Sequence, residues 1–194
     1  RITSDPEFFE PFQMHLDTLS PGEEKQWTVI PLRVSTSYLS NLTEQILGAV
    51  RIEISKEDQF LFSTSHEISL LAFDQWGGIS ILPEMLAAFV TPNSPAIAPI
   101  VKRASEILEN WTGSSAMDEY PNRVKKQMAA IYEAIAEQQI AYCTVPASYQ
   151  ESGQRIRLCD DILQHKLATC LDMALLYAGC LEAVGIHPLI VLIK

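Results

Sequence analysis

Basic side chains are scarce in this chain. Lys and Arg total 14 against 24 Asp and Glu over 194 residues, for a formal net charge of −10. A segment that grips a nucleic-acid backbone or an anionic membrane presents a basic face. The acidic balance therefore argues against direct contact of either kind by this segment, and leaves a nucleic-acid partner open only for a larger parent protein. Long apolar runs are missing too: the longest are too short to span a bilayer. No charged-then-apolar leader opens the sequence. Cysteine is sparse, and Cys143, Cys159, Cys170 and Cys180 show neither CxxC spacing nor a metal-type pairing with His. Neither a metal nor a cofactor is implied. Reduced thiols in a cytoplasmic protein are the expectation. Without a leader, the glycosylation patterns at Asn41-Leu42-Thr43 and Asn110-Trp111-Thr112 read as chance. A starting Met is also lacking, and the chain stops directly after the apolar run 189–193. An excised fragment is expected.

Hydrophobic residues make up 47% and charged residues 20%, an ordinary globular composition. The stretch that organises the rest is 169–185. Thr169 and Asp172 have the spacing of a capping box, and Gly185 suits the position just past a helix end. Between them only Asp172, Gly179 and Glu182 interrupt an apolar surface, so the helix is expected to be central and buried. Cys170 takes its first position. Free amides and the helix dipole converge there and favour a thiolate over a thiol. Two readings stand at this point: an activated nucleophile, or the small buried hydrophobe that a free Cys usually is.

The first half reads as short strands. Residues 1–26 carry Pro6, Pro11 and Pro21 and read as extended chain and turns. Alternation predicts strands over 27–34, within 45–54, over 60–62 and over 68–73, with a polar turn at 56–58. Pro83 opens a short helix to Val90, and 91–95 is a turn cluster. From there the chain turns helical. Apolar 3-4 repeats predict helices over 96–111 and 122–139, then a short strand over 140–145, a polar loop over 147–158 and a short helix over 160–166. The Cys170 helix and a strand over 188–193 follow.

A cysteine opening a buried helix that packs on a sheet is the core of papain-like and transglutaminase-like folds. Residues 142–194 resemble the transglutaminase-like cysteine protease superfamily. More narrowly, three motifs resemble the N-terminal region of large bacterial proteins related to superfamily I DNA helicases. These are Pro146-Ala147-Ser148-Tyr149, Gly153-Gln154-Arg155-Ile156-Arg157 and Ala168-Thr169-Cys170-Leu171-Asp172. Leu42-Thr43-Glu44, Gln75-Trp76-Gly77-Gly78 and the run from Leu86 to Asn93 are similar to the same proteins.

The resemblance implies an α+β chain. A β-sandwich-like domain with an extended N-terminal segment would cover 1–92, and a transglutaminase-like domain truncated at its C-terminus would cover 93–194. It implies Cys170 as nucleophile of a cysteine protease or acyl transferase acting on a peptide or protein. The catalytic His and third triad member would lie on strands beyond Lys194, leaving the fragment inactive. By the same analogy Gln154 is a possible oxyanion or substrate contact, against a loop Gln that bonds backbone. His187 reads as a turn residue and His165 as a solvated helix-end His. Arg155 and Arg157 are expected to pair at the surface with Asp160 and Asp161. Asp172 reads as a cap, and Cys143, Cys159 and Cys180 as packing residues. The rival reading is a non-catalytic scaffold or partner-recognition module attached to a helicase-type motor, with Cys170 as core.

Overall fold

The computed structural model describes residues 1–57, 59–117, 123–144 and 153–192. The motif Pro146-Ala147-Ser148-Tyr149, Asp58 in the expected turn and the last two residues lie outside them. The chain is α+β and divides into two compact units, Arg1–Phe73 and Asp74–Lys194. Residues 74–92, grouped with the β-rich part on sequence, pack within the second unit.

The first unit is built on an antiparallel three-stranded sheet in the order β1-β2-β3, with β1 at Ile2–Asp5, β2 at Ile46–Lys56 and β3 at Gln59–Leu70. Alternation along β2 sends Ile46, Val50 and Ile52 to a core formed with Ile2, Phe8, Phe9 and Leu70. Gly48 lets the chain after β1 close on this face: a Cβ there would stand 3.1 Å from the Asp5 carbonyl oxygen and 3.3 Å from a Phe8 ring carbon. Helix α1, Thr36–Ser40, is capped by the Ser35 hydroxyl, which accepts from the Tyr38 amide. Glu57 turns the hairpin with a φ of 47°. The pairing steps from Ile54 opposite Phe62 to Ser55 opposite Phe60, so Leu61 is the extra residue of a β-bulge.

Three expectations are corrected in this unit. It holds one sheet, and among the described residues no second sheet faces it, so the sandwich is not formed. Residues 60–62 and 68–73 are not two strands, because the polar Ser63-Thr64-Ser65-His66 between them pairs with β2 and carries β3 straight through. Residues 27–34 form no strand. Pro31 lacks a ladder donor, Val29 is 80% exposed, and the stretch makes only an isolated bridge from Val34 to Phe9. Conversely, Ile2–Asp5, read as extended chain, is a paired strand.

The second unit is mainly helical. Its elements are β4 (Gln75–Trp76), a 3-10 helix (Pro83–Phe89), α2 (Ile97–Thr112), α3 (Val124–Ala136) and β5 (Ala141–Tyr142), then β6 (Gln154–Arg155), α4 (Cys159–His165), β7 (Leu167–Ala168) and α5 (Cys170–Ala183). The 3-4 repeats of α2 and α3 bury Ile100, Ala104 and Leu108 against Ala130, Ile131 and Ala134, and α5 closes this core with Leu176, Cys180 and Leu181. The Tyr177 hydroxyl reaches from α5 to the Met128 carbonyl oxygen at 3.1 Å. Gly179 brings α5 close to α2, since a Cβ there would meet Ile97 Cδ1 at 2.9 Å.

The helix ends as its sequence predicts. Gly185 is left-handed at φ 78°, and the Gly185 and Ile186 amides return to the Glu182 and Leu181 carbonyls. The expected strand after it is not formed. Residues 188–192 join no ladder, Leu189 is 91% and Val191 75% exposed, and only Ile190 packs, on the cluster around Trp76.

Candidate functional site around Cys170

Two short ladders fix the start of α5. β5 pairs in parallel with β7, and the Cys143 amide donates to the Ala168 carbonyl at 2.9 Å. Lys166, in a left-handed conformation at φ 54°, turns the chain from α4 into β7. β4 pairs antiparallel with β6, setting Trp76 opposite Gln154. Gly153 permits that approach, because with φ at 78° and a Cβ present it would collide with the Trp76 carbonyl oxygen.

The predicted capping box is present. The Thr169 hydroxyl accepts from the Asp172 amide at 3.1 Å, and the Asp172 carboxylate accepts from the Thr169 amide at 2.9 Å. This cap lies inside the protein: Thr169 is 1% and Asp172 0% exposed. Two residues of the loop strand β6 and its continuation complete it. Gln154, itself 9% exposed, donates its amide NH2 to the Thr169 hydroxyl at 3.3 Å. Arg157 donates twice to Asp172, from its backbone amide at 3.0 Å and from its guanidinium at 3.3 Å. A buried carboxylate demands such partners.

Cys170 stands out from this arrangement. Its neighbours Thr169 and Asp172 are buried, yet Cys170 is exposed. Its amide and that of Leu171, the first two of the helix, have no acceptor among the described residues, so both remain available to an incoming oxyanion. The other thiols differ. Cys159 and Cys180 are buried and Cys143 is intermediate. Burial pushes the Cys159 thiol up and the Cys180 thiol up to about 12.

The remaining candidates fall as follows. Gln154 touches the residue preceding Cys170, through Thr169. Arg155 forms its ion pair with Asp74 at 2.9 Å and Arg157 with Asp172. The pairing with Asp160 and Asp161 expected from sequence neighbourhood is thus replaced by partners 81 and 15 positions away. Arg157 is the residue that sequence reasoning undervalued, and the one cue available was its place in the same motif as Gln154. His165 is exposed, with Nδ1 3.1 Å from the Asp161 carbonyl of its own helix, and His187 is exposed beyond Gly185. Among the described residues no group of three or more His, Cys, Asp or Glu side chains is placed to hold a metal, and no helix is long and apolar enough to cross a membrane.

Comparison of the chain with protein-family models, with curated sequences and with solved structures finds no match.

Proposed function

We propose that this chain carries the nucleophile half of a transglutaminase-like cysteine hydrolase or acyl transferase within a larger, helicase-related bacterial protein. The observation that supports it best is an exposed thiol on the first residue of a helix whose cap is locked from inside. The Cys170 thiolate attacks the carbonyl carbon of a peptide-type substrate and forms a C–S bond. The Cys170 and Leu171 amides receive the oxyanion. A histidine from outside this chain returns the proton to the departing amine, and water or a second amine then cleaves the thioester. Gln154 acts here as a positioning residue, since its partner is the cap hydroxyl of Thr169.

Iodoacetamide labelling over a pH series, resolved by peptide mapping, tests the reading. Cys170 should react faster at pH 7 than a free thiol such as glutathione, while Cys159 and Cys180 stay protected until urea unfolds the chain. A Cys170 no faster than glutathione would sink the nucleophile and leave the scaffold reading in its place.

A further inference from the structure

We propose that the outer edge of β3 pairs with the same edge of a second copy of this chain, antiparallel about a two-fold axis at Ser65. The two edges of the first sheet are treated differently. At the β1 edge, Ile2 exchanges both backbone hydrogen bonds with Phe12, so that edge is closed. At the β3 edge, no backbone group outside β2 pairs with Gln59–Leu70 among the described residues. Strands left open in this way are usually blunted by Lys, Pro or a charge. Gln59–Leu70 contains no Lys, Arg or Pro and a single acid, Glu67. Its bulge at Leu61 distorts only the hairpin end.

The register follows from the side chains. Phe62 and Ile68 stand opposite Ile54 and Gly48 of β2, so both lie on the core face of the sheet. They are nevertheless 53% and 41% exposed. A two-fold at Ser65 sets Phe62 opposite Ile68 of the second copy, and the reverse, which covers both. It sets Thr64 opposite His66 and Ser63 opposite Glu67, so no charge meets its own copy. An axis moved one residue to Thr64 would put Phe62 against His66, and one at His66 would stack two imidazoles. The strand is therefore complementary to itself in one register. The product is a continuous six-stranded sheet, β1-β2-β3 joined to its symmetry mate. The patch is small beside a standard interface of about 1,600 Å², so the pairing is weak and appears with concentration.

Sedimentation equilibrium of the full chain from low to high micromolar concentration reads it. A monomer–dimer equilibrium is expected, lost in both Phe62→Lys and Ile68→Lys with the far-UV circular dichroism unchanged. A second measurement fixes the register. In a Cys143→Ser, Cys170→Ser background, Ser65→Cys should close a disulfide with its own copy on mild oxidation, because opposed strand residues lie within disulfide reach. Ser69→Cys should not, since its mates would be about 27 Å apart along the strands. A chain that stays monomeric throughout, a dimer that survives both Lys substitutions, or equal cross-linking at both positions would each overturn the proposal.

Discussion

Asp172→Ala should weaken the second unit far more than an ordinary loss of a helix cap. The carboxylate is fully buried and accepts the Thr169 amide at 2.9 Å, the Arg157 amide at 3.0 Å and the Arg157 guanidinium at 3.3 Å. Alanine leaves the buried Thr169 amide and the part-buried Arg157 amide without an acceptor, at about 1–3 kcal/mol each with the second toward the low end. The cap contribution of about 1 kcal/mol is already contained in the first of these. Arg157, with a side chain 35% exposed, can turn to water and adds little. The sum is about 3 kcal/mol, or a melting-temperature drop of roughly 10 °C for a unit of this size. Asp172→Asn is the sharper control. It keeps one acceptor oxygen but turns an NH2 toward the remaining donors, so it should recover no more than about half of the loss. Urea titration at pH 7 by far-UV circular dichroism measures both. A loss under about 1 kcal/mol for Ala, or an Asn variant as stable as the parent chain, would refute the claim that this carboxylate organises the loop around α5.

Two further outcomes follow from the same unit. Gly153→Ala meets both a left-handed φ of 78° and the Trp76 carbonyl oxygen, so it should cost at least about 2 kcal/mol in urea unfolding, and equal stability would contradict the β4–β6 geometry. Alkaline pH should destabilise the chain through Cys180, which is 0% exposed and whose thiol is pushed by burial from 9.0 up to about 12. The native state holds the proton while the unfolded chain releases it first, so this contribution is complete below pH 9 and is lost between pH 9 and 12. The loss is on the order of 4 kcal/mol. Burial pushes Cys159 and Tyr177 the same way. The urea midpoint should fall across that window, less steeply in Cys180→Ala; a flat profile to pH 11 would count against the buried thiol.

Local signals in the sequence translated well into structure. Thr169-x-x-Asp172 and Gly185 mark the two ends of α5 because caps are made by residues three or four positions apart. The 3-4 repeats of α2 and α3 survive for the same reason: one face of a helix is set by the helix itself. Strands depended on partners far along the chain. Residues 27–34 alternate as well as β2 does, but only the isolated Val34–Phe9 bridge joins them to another segment, while Ile2–Asp5 shows little pattern and is a strand because β2 lies beside it. The polar centre of β3 read as a break for the same reason. Counting alternating segments thus overstated the strands and produced a sandwich where one sheet stands.

The site divides along the same line, and the division changes the part that Gln154 plays. Sequence placed Cys170 at a helix start, which is local; family analogy offered Gln154 as a possible oxyanion or substrate contact, against a loop Gln that bonds backbone, and neither partner is local. The hydrogen bond from Gln154 ends on the Thr169 hydroxyl, and Arg157 ends on Asp172, so the Gly-Gln-x-x-Arg loop grips both halves of one capping box. Thr169 and Asp172, which receive these contacts, are buried, while Cys170 between them is exposed. A cap of this kind holds the first two amides of α5 in a fixed direction without using them. That is the requirement for electrostatic stabilisation of a developing oxyanion, which depends on donors that do not reorganise. The loop's hydrogen bonds thus end on the cap residues that flank Cys170, which supports the backbone beneath the thiol.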